Sequence, residues 1–201
     1  MMEHQDLKEV DISIYHTAKQ GNWCSGDAFY TVRTDSYVLC AVADGLGSGE
    51  GAMDASEAAM SVIKSAHDLD TETLMDRCNR VLGGTRGVVI TILKFDFRSG
   101  IIEYTNVGNI SCTFYKPSGE MYRPVPTRGY LSGKKNKYRT QQIPYEKDTI
   151  FLVYSDGLIF DPLYHSIFHK FETPRKMIDR LVDLMVDSND DTTILVGKVN
   201  R

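Results

Sequence analysis

Cysteine is scarce in this chain, and its four copies (Cys24, Cys40, Cys78, Cys112) form no C-x-x-C pair. That spacing argues against a structural zinc site and fits thiols kept reduced in a cytosol. Long apolar runs are also missing. Stretches such as Val38–Ala43 fall far short of the roughly 20 residues that cross a bilayer, and Met1–Asp11 is broken by Glu3, Asp6, Lys8, Glu9 and Asp11, so it lacks the apolar centre of a secretory signal. Positive charge is in deficit: 23 Lys and Arg stand against 27 Asp and Glu, for a net charge of -4. The mean field therefore repels phosphate backbones and anionic membranes, which excludes nucleic acid and membrane as expected partners. The six prolines are scattered, no Gly/Ser-rich linker interrupts the chain, and no repeat of roughly 20–50 residues recurs. What remains is a cytoplasmic globular protein whose 201 residues, 42% of them hydrophobic, suit one core. Residues 1–201 thus read as a single domain.

The pattern of what is present mixes strands with helices. Val10–Ala18, Ala28–Thr34 and Tyr37–Ala43 carry β-type alternation or apolar runs, whereas Glu50–Ala66 and Thr71–Leu82 have helical spacing. Val88–Phe97, Ile101–Val107 and Ser111–Tyr115 then form a meander punctuated by Ser99-Gly100 and Gly108-Asn109, and Pro117-Ser118-Gly119 turns into Met121–Val125. Tyr138–Ile143, Thr149–Tyr154 and Thr192–Val199 complete the strands, with a helix over Pro174–Val186. Strands and helices come in blocks, not in one-for-one alternation. The expected class is α+β, with two stacked, largely antiparallel sheets flanked by helices.

Acidic residues recur where strands end. Ala43-Asp44-Gly45-Leu46 and Ser155-Asp156-Gly157-Leu158 share one frame, each directly after an apolar strand. Asp190-Asp191 stands just before the last strand, and Asp27 opens the strand at Ala28. Taken singly, Asp-Gly is an ordinary turn. Two copies behind buried strands are different, because unpaired carboxylates there would be costly and a hydrated cation would compensate them. Mg²⁺ and Mn²⁺ want oxygen ligands, a few from carboxylates and the rest from water. The glycine after each Asp is expected to turn the chain sharply and free its carbonyl for a metal. Two cations roughly 3.5–4 Å apart, sharing Asp44 and a water, would activate that water toward phosphorus. Asp44 and Asp156 are accordingly the candidate catalytic residues, acting through such a water.

The strings CSGDAFY, AVADGLGSG, NVGNIS, VYSDGL and DDTTILV, in that order from Gly26 to Val196, resemble the metal-dependent Ser/Thr protein phosphatases of the PP2C type, and within them the small phosphatases that reset the bacterial stressosome. The resemblance implies a β-sandwich with helices on both outer faces and two divalent cations, Mn²⁺ or Mg²⁺. It further implies that Asp44 bridges both ions, that the Gly45 carbonyl and a water-mediated Asp27 serve the second, and that Asp156 and Asp190 complete the first. Asp191 is its neighbour, and either of the two could be the direct ligand. Asn109 stands where many relatives have Asp. The implied substrates are phosphorylated proteins, stressosome scaffold proteins among them, and the implied effect is negative feedback on a general stress response. The alternative is a catalytically degenerate module that retains the sandwich and binds a phosphoprotein.

Other motifs fit less well. Gly47-x-Gly49-x-x-Ala52 imitates a dinucleotide-binding turn, but the parallel strand that fold requires next is replaced by the helical Thr71–Leu82. His165 and His169 could share a helix face as a zinc pair but lack the Glu of H-E-x-x-H, so they read as surface residues. The basic run Arg123, Arg128, Lys134, Lys135, Lys137 and Arg139 reads as a solvated loop or as a dock for an acidic phosphoprotein surface.

Overall fold

In a computed structural model of the chain, the described residues are 1–170, 172–185 and 189–200. Eleven strands are described: β1 (Met2–Asp6), β2 (Val10–Thr17), β3 (Asp27–Arg33), β4 (Tyr37–Gly45), β5 (Val88–Asp96), β6 (Ile101–Val107), β7 (Ser111–Tyr115), β8 (Met121–Tyr122), β9 (Gln141–Pro144), β10 (Ile150–Tyr154) and β11 (Thr192–Val199). The helices are α1 (Glu50–Ala66), α2 (Thr71–Val81), α3 (Ile167–Lys170) and α4 (Pro174–Leu184), with a 3₁₀ turn over Pro162–Ser166. The first sheet runs β1-β2-β11-β10-β7-β8 and the second β3-β4-β5-β6-β9, every strand pairing antiparallel with its neighbours.

Strand alternation explains why so many runs are apolar throughout. On β4, Val38, Cys40 and Val42 face the space between the sheets, while Leu39, Ala41 and Ala43 face α1 and α2. On β10, Phe151 and Val153 point inward while Ile150 and Leu152 meet α3 and α4. Both faces are covered, so an alternating polar residue has no solvent to reach. The inner layer joins Ile12, Ile14, Phe95, Phe114, Phe151 and Leu195, and the Phe95 and Phe151 rings lie 4.6 Å apart. One outer layer sets Ala55, Ala59 and Ile63 of α1 with Leu74, Met75 and Cys78 of α2 against the second sheet. The other sets Met177, Ile178 and Leu181 of α4 against the first. Helix starts are fixed by side chains: Asp70 accepts from the Thr73 amide and Thr173 from that of Lys176. The α+β reading of two stacked sheets between helices therefore holds.

Three boundaries differ from those the sequence predicts. Strand β1 is polar (Met-Glu-His-Gln-Asp) and has no core face to produce an apolar period; it is an edge strand held by its ladder to β2 and by side-chain bonds from His4 to Ser13 and from Gln5 to Thr31. The strand expected over Met121–Val125 stops at Tyr122, because Pro124 and Pro126 have no N–H to give a ladder. The strand expected over Tyr138–Ile143 is instead Gln141–Pro144. Val186, the expected last residue of the final long helix, lies outside the described residues.

Phe151 is fully buried at the middle of the sandwich. Phe151→Ala should cost about 3–5 kcal/mol, lowering the thermal midpoint by roughly 10 °C. A midpoint within about 2 °C of wild type would show that the two sheets do not share this core.

Candidate metal centre

Strand pairing brings the acidic residues together. Asp27 opens β3 and Asp44 lies near the end of β4, and the antiparallel register sets them directly opposite one another. Asp156 follows β10 and Asp190-Asp191 precede β11; β10 and β11 are neighbours, with the Ser155 amide donating to the Thr193 carbonyl at 3.0 Å. The two pairs belong to different sheets, and hydrogen bonds join them. The Ser155 hydroxyl donates to Asp27 Oδ2 at 2.6 Å and accepts from the Thr193 amide at 2.9 Å. Asp191 Oδ1 accepts from the Lys19 amide and its Oδ2 from the Gly26 amide, each at 2.8 Å. Asp191 is thus a clamp between the start of β11 and the loop before β3, with both oxygens engaged by backbone. Asp190 is the exposed member of the pair.

Both Asp-Gly corners need glycine, though not for the expected reason. Neither Gly45 nor Gly157 has positive φ. Each is instead a point of close approach: a β-carbon on Gly45 would lie 2.0 Å from the Ala52 carbonyl oxygen of α1, and one on Gly157 would lie 2.1 Å from that of Asp191. The Gly45 carbonyl oxygen lies 3.6 Å from where a β-carbon on Gly26 would stand, so it faces the turn that leads into Asp27.

The electrostatics are those of an anionic pocket without internal compensation. Burial, reinforced by Asp27, Asp156, Asp190 and Asp191, pushes the Asp44 carboxyl up to about 8. Burial is also the main cause that raises Asp27 to about 6, against the lowering bonds from Ser155 and Thr193. Asp27 Oδ1 is buried with no hydrogen-bond partner. A buried carboxylate oxygen without a donor is costly, and a hydrated cation removes that cost. Among the described residues no three His, Cys, Asp or Glu side chains close on one point tightly enough to hold an ion alone. A hard cation here would draw on one or two carboxylates, a backbone carbonyl and waters, and those donors are present.

Several contributors escaped sequence reading. Ser155 is where the two Asp-Gly frames differ, Ala43 standing in the other copy, and it is the one that bonds Asp27. Asn109 Nδ2 donates to Asp156 Oδ2 at 3.0 Å, so the amide steadies this carboxylate directly. Arg86 donates from Nη1 to the Ser48 carbonyl at 3.1 Å, occupying space left by the missing β-carbons of Gly47, on the loop that leaves Asp44, and Gly51, in the first turn of α1. Gly47, one of the two glycines that imitate a nucleotide turn, therefore makes room for a guanidinium. His165 is half-buried, and both its ring nitrogens are engaged by Tyr115 and Arg123, which removes it from a zinc pair with His169.

Because the folded-state values of Asp27 and Asp44 lie above the ordinary 3.8, neither carboxyl costs stability below that pH, and the cost grows as pH climbs through about 6 and about 8. In chelator, thermal stability should therefore fall between about pH 5 and about pH 8, and Asp44→Asn should raise the midpoint at the upper pH by at least about 2–4 °C, the shift worth about 1 kcal/mol at this chain length. Manganese should raise the wild-type midpoint most at the upper pH. An Asp44→Asn protein no more stable than wild type there would contradict a crowded anionic pocket.

The whole chain is 33% identical to the phosphoserine phosphatase RsbX of Bacillus subtilis (strain 168), covering all of both proteins. The fold matches a crystal structure of RsbX in complex with magnesium with a TM-score of 0.94 over the full length of both. A structure described under the bacterial stressosome as a modular system matches with a TM-score of 0.86 at 25% identity, over 95% of this chain and 100% of that one. The catalytic domain of the serine/threonine phosphatase PstP, in complex with two manganese ions, shares the fold with a TM-score of 0.77 at 15% identity, over 96% of this chain and 99% of that one. Among the described residues no helix is long and apolar enough to cross a membrane. Residues 34–200 match the model of the Stage II sporulation protein E (SpoIIE) family, and the chain belongs to that family of PP2C-type phosphatases.

Proposed function

We propose that this protein is a metal-dependent phosphoserine/phosphothreonine phosphatase whose single domain holds two divalent cations, Mn²⁺ or Mg²⁺. The observation that carries this reading is the meeting of Asp27 and Asp44 from one sheet with Asp156 and Asp190 from the other, in a pocket where one buried carboxylate oxygen has no donor. Asp44, the Gly45 carbonyl, Asp156 and Asp190 would hold the ions directly, and Asp27 through a water. Asp190 is the better ligand of its pair because it is exposed, with its Oδ1 accepting from the neighbouring Asp191 amide, whereas both oxygens of the buried Asp191 are taken by the distant Lys19 and Gly26 amides.

Bound there, the cations supply charge neutralisation on the phosphoryl group and an acidified water for in-line attack on phosphorus. The chain's own residues do the holding. Ser155 keeps Asp27 turned toward Asp44, Asn109 fixes the rotamer of Asp156, and Asp191 prevents the two sheet ends from parting under mutual repulsion. Arg86 holds the turn that follows Asp44 through the Ser48 carbonyl.

The likeness to RsbX and to the stressosome structure supports phosphorylated stressosome scaffold proteins as substrates, dephosphorylated in negative feedback on the general stress response. Four free, buried cysteines fit a reducing cytoplasm as the place of action.

With manganese supplied, the purified protein should release phosphate from a small aryl phosphate. Asp44→Asn and Asp156→Asn should each lose roughly two orders of magnitude or more, the scale of a lost transition-state charge contact. Undiminished activity in both variants would place the chemistry elsewhere. An inactive wild type that still binds the phosphoprotein would instead support the degenerate binding module.

A further inference from the structure

Beside the carboxylates lies a groove that the hydrolytic chemistry does not use. Its volume is about 220 Å³, room for one or two side chains, and Asn109, Ser111, Arg123, Pro124, Pro126 and Tyr154 form its wall. Asn109 also grips Asp156, so the groove opens next to the site of hydrolysis.

Arg123 is set into this wall by a relay. Its Nη2 lies 2.7 Å from His165 Nε2, and His165 Nδ1 lies 2.8 Å from the Tyr115 hydroxyl. A guanidinium only donates, so Nε2 accepts, the proton sits on Nδ1, and Nδ1–H donates to the tyrosine oxygen. The ring is thus a neutral acceptor. Burial and the adjoining Arg123 push its pKa down, which keeps it so. Phe160, with its ring centroid 4.8 Å away, packs on the imidazole, and Tyr115 is itself in the core. Arg123 therefore has N–H groups beyond the one given to His165. Among the described residues it has no carboxylate partner.

Arg123 shares its exposure and its place on the loop between β8 and β9 with Arg128, Lys134, Lys135, Lys137 and Arg139, and what sets it apart is the bond that fixes its side chain to His165. That loop is pinned through its backbone, Asn79 Oδ1 accepting from the Ser132 and Gly133 amides and Nδ2 donating to the Lys134 carbonyl. Pro124 and Pro126 have no N–H, so the groove wall there offers a guanidinium and ring faces in place of backbone donors. A planar fork with free N–H groups matches a carboxylate bidentately.

We propose that this groove receives the residues flanking the phosphoserine of the protein substrate, with Arg123 pairing to an Asp or Glu side chain of that segment. The inference rests on the phosphatase reading and deepens it: the metal centre handles the phosphate, and the groove selects an acidic neighbourhood. The chain's net charge of -4 does not oppose this, since the attraction is local and the mean repulsion is screened beyond about 8 Å at physiological salt.

The test compares three phosphoserine peptides that differ only in Asp, Asn or Lys at the flanking positions, with an aryl phosphate as reference. For wild type, kcat/KM should fall about tenfold from the Asp to the Lys peptide, mostly through KM. In Arg123→Glu, the Asp-to-Lys order should reverse when each value is divided by the same variant's turnover of the aryl phosphate. Fluorescence anisotropy with the same peptides reads the groove independently of turnover, and the same reversal is expected in Kd. Unchanged peptide order in Arg123→Glu, by both readouts and with a wild-type melting midpoint, overturns the assignment. So does an equal loss on aryl phosphate and peptides, which would put Arg123 on the phosphate itself. Failure of the phosphatase reading shows differently, as absent aryl phosphate turnover in wild type.

Discussion

Carboxylates packed at one end of two sheets repel one another, and the fold has to keep them there. Burial, with the repulsion of the neighbouring carboxylates added to it, is why Asp44 holds its proton up to about 8. Strand register opposes that repulsion by setting Asp27 against Asp44 on adjacent strands whose hydrogen-bond ladders cannot slip without exposing a core face. At this end of the sandwich the Ser155 hydroxyl ties the first sheet to Asp27, and the Asp191 carboxylate ties the start of β11 to the Lys19 and Gly26 amides. Asp191 is an acid whose charge is already satisfied. Asp44 and Asp27 stay crowded and buried, and Asp27 Oδ1 has no donor, which is the charge that the proposed cations would relieve.

Much of this fold was legible because burial on both faces leaves an obvious trace. The uninterrupted run Val38–Ala43 marks a strand covered by the opposite sheet on one side and by α1 and α2 on the other. Strand β1 left no trace because an exposed edge imposes no period, and the segment after Tyr122 read as strand although its prolines cannot join a ladder. The acids of the site were legible as repeated strand ends. Their supports were not. Ser155, Asn109 and Arg86 owe their roles to partners 128, 47 and 38 residues away, and no local pattern records such distances. The glycines were read for backbone freedom, whereas Gly45 and Gly157 serve close approach, a property of what packs against them.

The molecule divides its labour between rigid and adaptable parts. Acidic groups sit at strand ends, where ladders and the packed core fix them, which suits chemistry that depends on position. The proposed recognition surface lies on connections: the segment between α2 and β5 that carries Arg86, and the segment after β8 that carries Arg123. Even there the charged groups are not left to solvent alone. Arg86 rests on the Ser48 carbonyl, and Arg123 is anchored through His165 to the buried Tyr115. Ordering a guanidinium before its partner arrives reduces the entropy lost on binding.

The central claim is that Asp44 joins two cations in one site. Titration of manganese into the protein, followed by electron paramagnetic resonance, tests it directly. The account predicts two bound ions with spin–spin coupling, and loss of that coupling in Asp44→Asn. A single isolated ion, or a coupled pair indifferent to Asp44, would contradict it.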